Sequence, residues 1–413
     1  MEKINTLIIG GGPAGLMAAV RASSLGQRVV IVEKNYSVGE KLLISGRGRC
    51  NFTNSEDDIN TFIAKYGDKG KFLYSAFSRF GPRETILFFV NHGVNVIEER
   101  GKRIFPAEGG SQKILDRLLL ECKKGNVKIL RNTPVKALRV KNSRVDCVIT
   151  EQDELRADKY IIATGGKSYP DTGSTGDGYI FAQQAGHTVT KLFPALVPVR
   201  TRETWPKLAN GCNLKNVRLK VIRDGKEIDS RFGEMEFTNF GVSGPIVMDL
   251  SSHIPEWQEG SESLQFSLDL KPSLTQEILI ERLNREITKS AGHKRFASLA
   301  RSLVPKDLTR LILELSDIPS DKPVEYISDE EVAEFVALLK DIRMHINGLW
   351  SFKNAVVTNG GVSLKEIEPS TMKSKLCENL YFAGEVLDLN GPSGGFNLQI
   401  CWSTGYAAGS VNE

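Results

Sequence analysis

The residues with the clearest chemical capacity open the chain: an apolar run, Leu7 to Ile9, enters Gly10-Gly11-Gly12-Pro13-Ala14-Gly15 and leaves through Leu16-Met17-Ala18-Ala19-Val20. Glycine at 10, 12 and 15 lets the backbone turn sharply, come close to a pyrophosphate, and pack a helix on a strand, in that order. A diphosphate would then rest on the helix N-terminus, where unpaired N–H groups and the helix dipole favour negative charge. A second apolar run, Val29 to Val32, ends in Glu33, 23 residues after Gly10, with Lys34 behind it. An acid at that distance binds a ribose 2′-hydroxyl and disfavours a 2′-phosphate, so FAD or NAD fits better than NADP.

Other segments carry polar and glycine-rich chemistry. Gly39 to Asn54 is too rich in glycine and charge for a core element and reads as a binding loop: Lys41, Arg47 and Arg49 suit a second grip on phosphate, and Ser45, Asn51 and Asn54 suit a polar ring edge. A solvated basic loop is the alternative. The loop holds one cysteine, Cys50, where disulfide reductases carry a pair, so thiol–disulfide exchange is not expected. Gly101 to Pro106 is placed as a loop near the cofactor. Tyr160-Ile161-Ile162-Ala163 is a buried strand that ends in Thr164-Gly165-Gly166, small enough to pass under the adenosine half of a dinucleotide. Gly173 to Gly178 opens a further helix. At the far end, Asn379 to Phe382 is a strand ending near Gly384-Glu385, and Gly391 to Gln399 leads into a small-residue helix. Two halves of one nucleotide site thus lie at opposite ends of the chain.

These groups need a scaffold that sets strand ends beside helix starts. The 413 residues suffice for two or three domains, and 54 basic against 50 acidic residues give a net charge of +4, too small to demand a nucleic-acid partner. No run of about 18 apolar residues suits a bilayer span, and glycines at nucleotide spacing are not a signal peptide, so a cytoplasmic location is expected. Six scattered cysteines without a C-x-x-C indicate neither a metal site nor a disulfide framework. Helical patterns surround Phe72 to Phe80 and Ile114 to Cys122. Val127 to Leu130, Val135 to Val140 and Val145 to Thr150 read as a three-stranded meander, with Asn142-Ser143 as a hairpin turn. From about residue 190 the pattern alternates, at Val217 to Val221 and Leu264 to Leu270, with Asp224-Gly225 as a turn signal. Phe237 to Pro245 lies between, a loop of small and hydroxyl residues that permits close approach to a ligand, although a bulged turn explains it as well. Ser273-x-x-Gln276 and Ser328-x-x-Glu331 read as capping boxes of a helical stretch. The expected class is α/β: a Rossmann-like dinucleotide domain over 1–190 and 346–413, an inserted antiparallel β domain over 191–271, and a helical subdomain over 272–345.

Four blocks together resemble the YhiN/BaiN-like family of bacterial FAD-dependent oxidoreductases over nearly the full length: Gly10 to Gly15, Ser45 to Asn54, Phe237 to Pro245, and Ala383 to Asp388 with Gly394 to Gln399. The resemblance implies a glutathione-reductase-like fold with FAD, Glu385 at the ribityl or phosphate region, and Gly394, Gly395, Phe396 and Asn397 facing the flavin pyrimidine ring. The expected cofactor positions are Gly10, Gly12, Pro13, Ala14, Gly15, Glu33, Lys34, Lys41, Ser45, Gly46, Arg49, Cys50, Asn51, Val135, Thr164, Gly165, Gly166, Gly384, Glu385 and Gly394 to Asn397. Family members often carry histidine where this chain has Asn239, and none of the five histidines (His92, His187, His253, His293, His345) falls in a cofactor block, so no catalytic histidine is assigned. No second GxGxxG unit is visible, so NAD(P)H, the expected donor, would visit the face later used by a small-molecule acceptor. The activities implied are reduction of a carbon–carbon double bond in an unsaturated organic acceptor, reduction of uridine in ribosomal RNA, or oxidation of small amines with oxygen. Tyr169, Cys50 and Asp388 are the candidate acids. RNA is a second candidate partner, through Arg218, Lys220, Arg223, Lys226 and Arg231, although a solvated strand face explains these residues equally well. No motif specifies an oligomeric state.

Overall fold

The computed structural model describes residues 3–290 and 294–410, so His293 lies outside the described residues. The chain forms two compact units, Met1–Pro194 with Ala355–Glu413, and Ala195–Asn354.

The first unit is built on a five-stranded sheet in the order Leu380–Phe382, Ala157–Ile162, Ile4–Ile9, Val29–Val32, Lys128–Leu130, every neighbouring pair parallel. Leu7, Ile8, Ile31, Ile161 and Ile162 are buried, as the continuous apolar runs require of a sheet covered on both faces. The strand order reverses beside Ile4–Ile9. Its neighbour on one side comes next in the chain, and its neighbour on the other arrives 150 residues later, which opens a crevice at the strands' C-terminal edge. Lys128–Leu130 belongs to this sheet, not to the meander expected from the sequence. It pairs with Val29–Val32 and so fills the edge that strand would otherwise leave open. The meander is instead Val135–Lys141, Arg144–Thr150 and Glu154–Leu155. Asn142 (φ 49°) and Ser143 (φ 56°) make its turn in the left-handed region. Gly101 to Pro106 is likewise not a free loop: Arg103–Pro106 pairs with Val96–Glu99 and with Thr53–Asn54 in a small sheet.

The second unit is a closed antiparallel barrel, in the order Val199–Thr201, Gly241–Ser243, Lys226–Thr238, Asn213–Arg223, Leu264–Asp269, Ile342–Leu349. Val217, Leu219 and Val221 point into its core while Arg218 points out. The boundary expected at residue 346 falls inside the strand that closes the barrel. The helices Gln276–Ser290 and Asp329–Lys340 share one apolar core with the barrel, through Leu279, Leu283, Val336 and Leu339. Ser328 and Glu331 form the expected capping box. The other helix is capped two residues later than expected: Thr275, not Ser273, accepts from Ile278 N at 3.3 Å, and Leu274 N is held by Lys271 O in the preceding turn. Among the described residues no helix is long and apolar enough to cross a membrane.

Candidate functional site

The crevice of the first unit is edged by the four places where a parallel strand runs out: Gly10, Glu33, Ala163 to Gly166, and Gly384-Glu385. The three fingerprint glycines have separable reasons to be glycine. Gly10 has φ +106°, and a Cβ there would lie 2.5 Å from the Ala163 carbonyl oxygen. A Cβ on Gly15 would lie 2.0 Å from the Gly10 oxygen, which is the close packing of helix Pro13–Ser24 on its strand. Gly12 is different. Its backbone is extended (φ −80°, ψ −175°), open to any residue, and a Cβ would meet nothing within 4 Å. The protein itself gives no reason for glycine there, whereas a ligand approaching the helix N-terminus does. No side chain caps that N-terminus, and Pro13 opens the helix.

Glu33 sits beside this turn and accepts from Gly11 N and Asn35 N, both at 2.8 Å. Lys34 Nζ reaches Thr175 Oγ1 (2.5 Å) and Asp177 Oδ2 (2.6 Å), and Asn35 Nδ2 donates to Thr172 O (3.1 Å), so the segment before helix Asp177–Gln184 is folded over the end of the second strand. Thr133 N donates to Glu33 O, which sets Val135 two residues beyond that contact.

The second half of the crevice comes from the C-terminal segment. Glu385 is enclosed: it takes Lys41 Nζ at 2.6 Å, Ser168 Oγ at 2.9 Å and Thr358 N at 2.8 Å. Ser168 and Thr358 escaped the sequence reading although each stands two residues from a glycine pair, Gly165-Gly166 and Gly360-Gly361. The carboxylate expected to face the cofactor is thus spent within the protein, where it ties three distant segments together. Gly384 leaves room for Ala14, whose Cβ would be 2.7 Å from a Cβ at 384. The last helix, Phe396–Gly409, runs parallel to Pro13–Ser24: Gly405 packs on Ala14 O and Gly409 on Ala18 O, each too close for a Cβ. This register puts the cap Gly395 about eight residues, or about 12 Å, ahead of the level of Gly12. Two helix N-termini therefore address one crevice at two depths.

Around Gly395 the backbone is left-handed at Gly46, Arg47, Gly48 and Cys50, the kind of strain that persists where a clamp is built. Both amide atoms of Asn51 are buried without a hydrogen-bond partner, and Asn51 Oδ1 would lie 2.5 Å from a Cβ on Gly395. Thr164 Oγ1 is likewise buried and unpaired. Such groups are costly unless something supplies the missing partner. The open Gly12, the uncapped helix and these orphaned atoms fit a bound dinucleotide.

Several expected positions serve the fold instead. Ser45 Oγ donates to Leu42 O. Arg49 pairs with Glu99 and lies over the Phe105 ring at 4.3 Å, so it is not free for phosphate. Phe396 is buried against Phe62, 5.0 Å between ring centres. The Asn397 amide closes the preceding loop, with Oδ1 accepting from Gly391 N (2.9 Å) and Nδ2 donating to Gly391 O (2.8 Å). Among the candidate acids, burial pushes the Cys50 thiol up to about 12, against a lowering hydrogen bond with Ser45. Asp388 is held by Lys69 Nζ at 2.5 Å. Tyr169 is half-buried, and its hydroxyl bonds no protein atom among the described residues. On the barrel unit, Lys220 pairs with Glu227, Arg223 with Asp224 and Arg231 with Asp229, while Arg218 and Lys226 form no ion pair among the described residues. The small residues of Phe237 to Pro245 are explained by packing, since a Cβ on Gly241 would lie 2.3 Å from Val199 O and one on Gly244 2.7 Å from Met235 Cα.

Comparison with known proteins identifies the family. The model of the HI0933-like protein Rossmann domain matches residues 4–411. The chain is 30% identical to a 3-dehydro-bile acid delta(4,6)-reductase of Clostridium scindens, over 97% of each chain. It is 33% identical to a ribosomal RNA dihydrouridine synthase of Haemophilus influenzae, over 97% of this chain and 96% of that one. Among solved structures, a 3-ketosteroid delta1-dehydrogenase from Sterolibacterium denitrificans shares the fold with a TM-score of 0.54 at 12% identity, over 99% of each chain. The chain belongs to the HI0933-like Rossmann family, a family of flavin-dependent oxidoreductases.

Proposed function

We propose that this protein binds FAD in the crevice, takes reducing equivalents from NAD(P)H, and saturates a carbon–carbon double bond conjugated to a carbonyl. The observation that carries the cofactor reading is Gly12, a glycine that the protein's own packing and backbone do not require. The names of two relatives support the acceptor class: a 3-dehydro-bile acid delta(4,6)-reductase and a ribosomal RNA dihydrouridine synthase, since the bond saturated in such an enone and in uracil is conjugated to a carbonyl.

Bound FAD supplies the two-electron exchange between donor and acceptor. The chain's own contribution is positional. Gly12, Ala14 and Gly15 would offer backbone N–H groups to the diphosphate, Pro13 having none. Glu33, whose two oxygens accept from Gly11 N and Asn35 N, would take a ribose hydroxyl on a remaining lone pair. Asn51 and the N-terminus at Gly395 would supply donors and an acceptor for the polar ring edge. Lys41, held by Glu385, contributes positive charge between the two. Of the three candidate acids, Tyr169 is the one with an uncommitted proton, since Cys50 is buried and Asp388 is held by Lys69. Six free, buried cysteines suit the reducing cytoplasm in which we place the protein.

The test is anaerobic stopped-flow on purified protein. The visible flavin band should bleach with NADH or NADPH and recover on adding a conjugated enone or uridine-containing RNA. A protein that takes up no FAD would overturn the cofactor reading. A reduced flavin reoxidised by oxygen but by neither acceptor would overturn the acceptor class.

A further inference from the structure

In the barrel unit, helix Phe296–Leu303, the single turn Lys306–Leu308 and helix Thr309–Leu315 border a groove of about 870 Å³. Lys306, Arg310 and Glu314 follow one another at intervals of four, so they share one face of the second helix and of the turn that leads into it. Arg301 joins the two cations from the first helix, and Asp317 follows Glu314 just beyond the end of the second. The groove is therefore positive at one end and negative at the other. All five side chains are exposed, and among the described residues none of them forms an ion pair or a hydrogen bond. The helix gains nothing from this order of charge. A helix dipole favours acids at the start and bases at the end, and a pair four apart is stronger with the acid first. Here Arg310 precedes Glu314, and Asp307, the acid of the first turn, does not line the groove. Leu313 and Pro319 give the groove apolar wall, and no aromatic side chain among the described residues lines it.

We propose that this groove binds a free oligopeptide of about four residues, its C-terminal carboxylate at Arg301, Lys306 and Arg310 and its N-terminal ammonium at Glu314 and Asp317. The volume falls within the range of roughly 300–1,000 Å³ that small-molecule sites occupy. Length agrees with it. Eight residues separate Lys306 from Glu314, about 12 Å along a helix, and an extended peptide of about four residues, at roughly 3.3 Å each, spans the same distance. Charge decides between occupants. An inorganic anion would use the cationic end alone and be repelled from the other, whereas a peptide with both termini free satisfies the two ends at once. A nucleotide would find no aromatic face on which to stack its base. The groove needs neither flavin nor acceptor for this binding, so a failed test leaves the reading of the crevice intact.

Isothermal titration of the full-length, flavin-loaded protein with the peptide Ala-Leu-Leu-Ala, carried to millimolar concentration, tests this. The free peptide should bind, and acetylating its amine or amidating its carboxylate should each weaken binding about fivefold, the worth of a partly exposed ion pair. Arg310→Gln should weaken the free peptide by about the same factor and leave the amidated one unchanged. Glu314→Gln should do likewise for the free and the acetylated peptide. Both positions are exposed, so the flavin spectrum and Tm of each variant should match those of the parent, which shows that they fold. Absence of binding by the parent protein overturns the proposal. Equal binding of the doubly blocked peptide also does, because it would make the groove a seat for an internal chain segment. So does binding of inorganic phosphate that Arg310→Gln abolishes and the peptide does not displace, which would mark an anion site only.

Discussion

Replacing Gly12 with alanine separates folding from cofactor binding more cleanly than any other change in the crevice. The backbone at Gly12 already has dihedrals that alanine adopts, and the added methyl meets no protein atom within 4 Å. At a helix N-cap alanine is worse than glycine by up to about 1 kcal/mol, while the loss of unfolded-chain freedom stabilises by about 0.4–1 kcal/mol. These nearly cancel, so the apo-protein Tm should move by no more than about 2 °C. The ligand sees something else. The methyl stands where a diphosphate must approach the helix N-terminus. Losing two charge-assisted hydrogen bonds of about 1.5–3 kcal/mol each weakens FAD binding by roughly 10²- to 10⁴-fold. The assay is FAD titration of apo-protein by flavin fluorescence, paired with a thermal melt. Gly12→Val should be at least as damaging. Gly15→Ala is the contrasting control: its Cβ would sit 2.0 Å from Gly10 O, so it should lower the Tm of the apo-protein itself. A folded Gly12→Ala protein that keeps full flavin occupancy at unchanged Kd would refute the placement of the diphosphate.

Glu385→Ala should destabilise the fold, because it strands Lys41 and the Thr358 N–H in a site where the two charged side chains are 13% and 24% exposed. The expected loss is about 2–3 kcal/mol, less than for a fully buried pair, read by denaturant melts, and Glu385→Gln should recover part of it. His187 is buried with Nε2 at 2.7 Å from Ser374 Oγ, and desolvation lowers its pKa against the raising effect of Glu366. The unfolded chain therefore binds more protons below the ordinary value near 6.5, and stability is lost as pH falls through that value toward the folded one. Melts between pH 7.5 and 5.5 should show this loss, and His187→Gln should flatten it. An unchanged slope would assign the effect elsewhere. All six cysteines are free and buried, with burial pushing Cys50, Cys122 and Cys401 up to about 12. Native protein should show no rapidly reacting thiol with an aromatic disulfide reagent, and six after denaturation.

What could be read from the sequence was what depends on local chemistry. Gly10, Gly12, Gly15 and Glu33 carry their reasons within one strand–turn–helix unit, and the structure puts each beside the crevice. The Asn142-Ser143 and Asp224-Gly225 turns needed only left-handed backbone at those residues. What escaped was partner choice. Arg49 looked like a phosphate grip because its loop is basic, but Glu99, fifty residues on, takes it. Asn397 looked like a ring contact, but its amide is complementary to the backbone of Gly391. Lys128–Leu130 had the pattern of any short strand, and only the open edge of Val29–Val32 decides which sheet it joins. A side chain's type states what it can bond, and the long-range fold decides what reaches it first.

The division of the site between the two ends of the chain has a mechanical cause. The first strand lies in the interior of the parallel sheet, so its unpaired edge must be filled by Ala157–Ile162 and then by Leu380–Phe382. That second pairing carries Gly384 onto Ala14 and delivers the last helix against the first, in the register fixed by Gly405 and Gly409. Because four residues separate both Ala14 from Ala18 and Gly405 from Gly409, the helices can settle parallel at closest approach only in steps of about a turn, near 5.4 Å. The distance between the two N-termini is therefore set by backbone packing and not by loops. The insertion, residues 195–354, can vary in sequence and length without moving either end, provided that the strands flanking it stay paired. A dinucleotide site measured by two helix starts is tolerant of such an insertion for that reason.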